Sequence, residues 1–309
     1  AVAVDDNDLL LIHPEVQATL ASGGAVVALE STISTHGLPR PDNLEAARMS
    51  DAAVREAGAV PATVAVHDGR VQGGLAADEL AELADARDIP KVSRQNLAGV
   101  LVRSGWGGTT VSATMIAAEQ AGIGVFATGG IGGVHRGGES SMDISADLGE
   151  LGRTPVTVVC AGPKSILDVG RTLEALETRG VPVVSLGSDE VAGFYSRSSG
   201  YRAPLRVDSP AEAARLIATH RSLGLATGVL VTVPLPEDVA LPAAEVAAAV
   251  EQAEADAVEA GIHGPASTPF VLSRVAELTE GRSVRANLEI IRRDALTAGR
   301  IAVALTELG

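Results

Sequence analysis

The sequence predicts an α/β protein of three layers, α/β/α, with a large mixed, mostly parallel sheet, in one domain over residues 1–309. Short β-branched apolar runs alternate with helix-period stretches along almost the whole chain, the pattern of repeated βαβ units. Asp68-Gly69, between apolar runs at 62–67 and 70–71, is a tight-hairpin signal and adds antiparallel pairing. The chain is 46% hydrophobic but only 2% aromatic, so its core must be Ala, Val, Leu and Ile, which lets helices pack closely on a sheet.

The elements follow in order. Residues 25–29 are continuously apolar and read as a buried strand. A helix is expected over 41–57, with Leu44, Ala47 and Val54 near one face and Gly58 as its left-handed stop. The hairpin follows, then a short helix over 78–86. Residues 110–121 form an Ala-rich helix, and 124–127 a strand. The loop over 128–146 holds six glycines. A strand at 156–160 leads into a helix over 163–179, with Pro163 at the first turn. Then come a strand at 181–186, a polar loop over 190–203, a helix over 210–223 and a strand at 228–233. Helices over 245–260, 268–278 and 284–308 close the chain. The Ala-rich acidic stretch 236–259 reads as an amphipathic helix rather than a spacer.

Charge and composition exclude several partners. The formal net charge is −15, which repels nucleic acid and anionic membranes. A small anionic substrate stays open, because local basic groups and helix N-termini can override the global field. No run approaches the roughly 18 apolar residues that span a membrane. The acidic residues 1–11 lack the basic start of a signal peptide. One cysteine, Cys160, excludes an intrachain disulfide framework and suits the cytosol, so a cytoplasmic location is expected.

Of the 24 basic residues only Lys91 and Lys164 are lysines. Codon bias toward Arg accounts for the missing lysines but not for the two that remain. A buried Lys can lose its proton and become a nucleophile, which Arg cannot. Lys164 lies in Val158-Val159-Cys160-Ala161-Gly162-Pro163-Lys164, where a buried strand is expected to turn directly into a helix. The helix dipole and the apolar walls would favour the neutral amine there. The competing reading is a lysine stem reaching to solvent.

Three other segments carry polar groups at expected strand ends, where α/β proteins bind ligands. Glu30 follows the first buried strand in Leu29-Glu30-Ser31-Thr32; burial would raise its pKa and suit a general acid, against a helix cap or an Arg-paired carboxylate. Lys91-Val92-Ser93-Arg94 could place Lys91 and Ser93 on one side of a strand, against a solvated lysine. The run from Ala127 to Gly137 lets backbone N–H groups approach an anion, with His135 and Arg136 beside it; it fits neither a Walker loop nor a dinucleotide fingerprint. Asp143 and Asp147, four residues apart, could hold a hard cation, although Asp-x-Ser also caps helices.

These segments, quoted as ALESTISTHGLP, GAVPATVAVHDGRV, KVSRQNL, GGTTVSATM, VFATGGIGGVHRG, MDISADL, VVCAGPKSILDVG, FYSRSSGYRAPLR and ANLEI, resemble the pseudouridine-5'-phosphate glycosidase family, also called indigoidine synthase A-like. The resemblance runs in order from about Leu10 to the end. It implies reversible cleavage of the carbon–carbon glycosidic bond of pseudouridine 5'-phosphate to uracil and ribose 5-phosphate, a divalent metal (usually Mn²⁺) and a homotrimer. By motif, Lys164 is the imine-forming nucleophile, Glu30 the proton donor and Asp143 the metal ligand. Lys91, Val111, Ser145, Ala146 and Asp147 contact substrate, and Thr128, His135 and Asn287 complete the pocket. The family's Asn-Asn pair near Arg293-Asp294 is absent here. A class I aldolase-like lyase on another sugar phosphate, or a non-catalytic sugar-phosphate-binding protein, remain alternatives.

Overall fold

The protein is described by a computed structural model over residues 9–262 and 266–309. Thirteen strands are present among these residues: β1 (Leu10–Ile12), β2 (Val26–Leu29), β3 (Val60–His67), β4 (Arg70–Gly73), β5 (Lys91–Val92), β6 (Trp106–Thr109), β7 (Val125–Ala127), β8 (Val134–His135), β9 (Thr157–Cys160), β10 (Leu167–Asp168), β11 (Val183–Leu186), β12 (Leu205–Val207) and β13 (Val229–Thr232). Eleven form one sheet in the order β1-β4-β3-β2-β7-β9-β13-β11-β12, with β6 on β3 and β5 on β6. Within it only β3–β4 and β3–β6 are antiparallel. The length of β3 permits this branching. Its first half runs parallel to β2 from Val60 to Thr63, and its second half lies between β4 and β6. β8 and β10 make a separate antiparallel ribbon.

The helices are α1 (Pro14–Ala21), α2 (Asp42–Glu56), α3 (Ala77–Asp85), α4 (Leu97–Leu101), α5 (Val111–Ala121), α6 (Gly138–Ser141), α7 (Ala146–Leu151), α8 (Val169–Thr178), α9 (Pro210–Ser222), α10 (Ala243–Glu259), α11 (Ser267–Leu278) and α12 (Arg282–Thr306). Because side chains alternate along a strand, the central strands feed two cores. Val26, Ala28, Phe126 and Val158 pack with Val111 and Met115 of α5, Leu148 of α7 and Leu176 of α8. Val27, Leu29, Val125 and Val159 pack with Val54 of α2, Ile217 of α9 and Ala298 of α12. The three-layer α/β/α reading therefore holds. Small residues set the spacing: a Cβ on Gly299 of α12 would lie 2.5 Å from Cβ of Ala57, just past α2. A third cluster joins α10, α11 and Ile290 of α12 to Phe194 and Tyr195. Among the described residues no helix is long and apolar enough to cross a membrane.

Most predicted elements are present with ends shifted by a few residues. One differs in a way that matters. The helix expected from Pro163 begins only at Val169. The intervening turn is held elsewhere: the Lys164 N–H donates to Ile131 O at 3.1 Å, and Leu167 and Asp168 pair with β8. Asp168 then caps α8 by accepting the Arg171 N–H at 2.9 Å. Lys164 thus sits in a loop, not at a helix N-terminus. The glycine-rich run 128–146 contains β8 and the short α6 rather than loop alone.

Candidate active site

β2, β7 and β9 are adjacent and parallel, so the segments following them emerge on the same edge of the sheet. Glu30 is the first residue past β2, Thr128 the first past β7, and Lys164 lies four residues past β9. Lys91 opens β5 on the neighbouring branch of the sheet. Glu30 is buried, and its two carboxylate oxygens receive hydroxyl hydrogens from Thr32 and from Thr128. The turn that carries Glu30 is anchored to β6, where Ser31 Oγ accepts the Thr109 N–H at 2.8 Å. It then enters a π-helix over Ile33–Gly37, a form that frequently marks functional sites.

Lys91 is held through its own backbone: the Asn96 side chain donates to Lys91 O at 2.9 Å and accepts the Ser93 N–H at 2.8 Å. Burial pulls the Lys91 ammonium below its ordinary pKa. The charge of Lys164 acts the same way, while Glu30 and Asp147 pull it back up. His36 is likewise lowered, first by burial, then by Lys91, against a hydrogen bond to Ile89 O at 3.2 Å that raises it.

Asp147 is fixed by backbone amides, Ser112 N–H at 3.1 Å and Gly132 N–H at 2.8 Å. Gly132 is required there, since a Cβ would lie 2.2 Å from Ser145 Oγ and 2.9 Å from Asp147 Oδ2. Three residues on, buried Glu150 takes a two-pronged ion pair from Arg94, both contacts at 2.7 Å. Asp143 is exposed instead, its Oδ2 3.9 Å from His135 Nδ1. The expected Asp143/Asp147 pair therefore divides its work, with Asp147 turned to amides and Asp143 to solvent. Among the described residues no three His, Cys, Asp or Glu side chains are grouped to hold a metal ion.

Two hollows meet over these groups. One, about 420 Å³, is polar and lined by Ser93, Thr110, Val111, His135, Asp143, Ser145, Ala146 and Asp147. The other, about 60 Å³, is flanked by His36, Gly130, Phe194, Leu272 and Asn287. Glu30, Thr32, Lys91, Lys164 and Thr268 line both. Of the residues to which the resemblance gives a role, only Thr128 lines neither; it contacts Glu30.

The sequence reading missed Thr32, His36, Phe194, Thr268 and Leu272. Phe194 lies in the run read as a polar loop, yet it is buried and holds φ of 65°. A bulky residue at positive φ is an outlier that clusters at functional sites. Gly130 accommodates its ring, from which a Cβ there would lie 2.6 Å, while Gly162 makes room for the backbone of the same loop, where a Cβ would lie 2.3 Å from Ala192 O.

A family model described as Indigoidine synthase A like protein matches residues 15–304. The chain belongs to the indigoidine synthase A-like family. Within that family it is similar to a pseudouridine-5'-phosphate glycosidase of Paracoccus denitrificans, 53% identical over 96% of this chain and 98% of the relative. A protein of the same name from Deinococcus radiodurans is 51% identical over 98% and 97%. Among solved structures, the prealnumycin C-glycosynthase AlnA in complex with ribulose 5-phosphate superposes with a TM-score of 0.90 at 38% identity, covering 99% of each chain. An indigoidine synthase A-like protein of Thermotoga maritima gives 0.87 at 32%, covering 96% and 97%.

Proposed function

We propose that this indigoidine synthase A-like protein is a pseudouridine-5'-phosphate glycosidase. It would cleave the C1–C5 bond between ribose and uracil reversibly, giving uracil and ribose 5-phosphate through a lysine imine. The observation that carries the reading is the meeting of Lys164, Lys91 and Glu30 at the junction of a polar and a more apolar hollow. The names of the full-length relatives and the sugar phosphate held by AlnA support it.

A carbon–carbon glycosidic bond has no leaving oxygen, so the two-carboxylate route of ordinary glycosidases is poorly suited. The Lys164 amine instead attacks C1 as the C1–ring-oxygen bond breaks, and Glu30 delivers a proton to that oxygen. The adduct nitrogen releases one proton, its lone pair then forms the C=N bond as C1–C5 breaks, and uracil C5 takes up a proton, which balances the one released. Water hydrolyses the imine, freeing ribose 5-phosphate and the amine. Lys91 faces the same space and supplies positive charge to the substrate. The pentose phosphate occupies the polar hollow, near Ser145, Ala146, Asp147 and the N-terminus of α5 at Val111. Uracil occupies the smaller hollow with Asn287 and Phe194, and Thr128 and His135 frame the two.

Asp143 presents one hard carboxylate at the rim of the polar hollow. A single carboxylate with waters and a substrate phosphate is a donor set that Mn²⁺ or Mg²⁺ accepts. Asp143 would hold the ion, which would neutralise phosphate charge. The resemblance also implies a homotrimer, checked by light scattering. The decisive experiment is borohydride reduction with ribose 5-phosphate followed by mass spectrometry: Lys164 gains the pentose phosphate, and Lys164→Ala abolishes turnover without unfolding the chain. Uracil release from a protein whose Lys164 stays unmodified would refute the reading.

A further inference from the structure

Beside Glu30 lies a small cavity of about 10 Å³, which also shares Ile33 and Gly129 with the smaller hollow. Its wall carries Glu30, Ser34, Ser50, Thr63 and Thr128 among apolar side chains. A volume of roughly 10–15 Å³ with several polar partners is what one buried water needs. Thr63, on β3, also donates its hydroxyl hydrogen outward, to Asp51 Oδ1 of α2 at 3.4 Å. Asp51 is only partly buried. The cavity therefore has a hydroxyl exit that leads to a carboxyl near the surface.

We propose that Asp51 is the outer end of a proton relay, running through the Thr63 hydroxyl and one enclosed water, that recharges Glu30. The inference rests on the acid role of Glu30 proposed above. With substrate filling both hollows, the part of Glu30 that lines them is covered, and a route through the small cavity resupplies it. Once Asp51 is protonated, the Thr63 hydroxyl turns to accept the Asp51 hydrogen and aims its own at the water, and the water passes one to the Glu30 carboxylate. Each intermediate gains and loses one proton. The net change is one proton moved from Asp51 to Glu30, after which Asp51 reloads from solvent. The charged groups facing Asp51 are Arg55 on its own helix and Glu15 on α1, themselves joined at 2.7 Å. Burial raises the Asp51 pKa to about 6; Arg55 and the Thr63 hydrogen bond lower it, and Glu15 raises it. A carboxyl titrating there exchanges protons readily near neutral pH.

Asp51→Asn and Thr63→Val are close in shape to the parent residues and should both fold, as thermal unfolding will report. Each should lower kcat by about 10²-fold, the low end of the range for general acid–base groups, with KM unchanged. Asp51→Asn should also remove the rise in kcat as pH falls toward 6, and Asp51→Glu should restore it. Parental kcat and pH profile in both Asp51→Asn and Thr63→Val, beside a slow Glu30→Gln, would overturn the relay and leave the acid role standing. Parental turnover in Glu30→Gln would overturn both.

Discussion

Thr128 donates its hydroxyl hydrogen to Oε1 of Glu30 across 98 residues of sequence, tying the end of β7 to the end of β2. With Thr32 on the other oxygen, it leaves the carboxylate no freedom to rotate. Thr128→Val keeps the shape and removes the donor. A hydrogen bond to a charged group contributes about 1.5–3 kcal/mol, so kcat/KM should fall by about tenfold to 10²-fold. Steady-state kinetics should show the loss in kcat more than in KM.

Gly132→Ala tests the amide that holds Asp147. The new Cβ would lie 2.2 Å from Ser145 Oγ, so Ser145 and Asp147 must move and the Gly132 hydrogen bond is lost. Affinity for ribose 5-phosphate, read by calorimetry, should weaken by about tenfold or more, the equivalent of one charge-assisted hydrogen bond. The melting temperature should also fall by a few degrees, since the lost bond and the crowding act on the fold as well.

Arg94→Ala tests the brace under Asp147. Burial pushes the Glu150 carboxyl up, but Arg94 and Thr154 outweigh it and hold its pKa below the usual range. A depressed folded pKa adds stability above the unfolded value of 4.5 that is lost as pH falls through the folded one. Removing Arg94 should cost about 2–3 kcal/mol at neutral pH, less than for a fully enclosed pair because Arg94 is half exposed. The difference between variant and parent should shrink on acidification, as chemical denaturation at several pH values will show.

Asp294→Asn should stabilise the chain. Asp294 of α12 is fully buried, and neither carboxyl oxygen has a hydrogen-bond partner; Arg293 Nε beside it has none either. Burial holds the carboxyl well above its usual pKa, with the Arg293 charge pulling it partway back. A raised folded pKa favours the folded state in acid, and that contribution is lost as pH rises above 3.8 toward the folded value. The gain from Asn should therefore grow from acid to neutral pH, by about 1.4 kcal/mol per pH unit while Asp294 stays protonated in the fold. A gain independent of pH would contradict this.

Much of the architecture was legible because periodicity reports burial directly. The runs that became β2, β9 and β13 are apolar but for Thr157 and Thr232, and the strands are buried at every position. β6 was not legible, because Trp106-Gly107-Gly108-Thr109 reads as a break. Its glycines answer packing instead: Cβ atoms there would lie 2.9 Å from Val92 Cγ2 and 2.3 Å from Thr35 Oγ1. Lys164 was found, but for a reason the fold replaces. Pro163 suggested a helix start, while pairing with Ile131 and capping by Asp168 delay the helix to Val169. Thr32 and Phe194 lie within the quoted motifs but were given no role, because a hydroxyl two residues from a carboxylate and an aromatic in a polar run carry no pattern until the chain closes on them.

Both lysines of the chain line the shared wall of the two hollows. Any reagent selective for side-chain amines therefore becomes a reporter of this one place. Reductive ¹³C-methylation would give an NMR spectrum whose lysine resonances all come from the pocket, so ligand titrations could be followed without assigning the rest of the molecule.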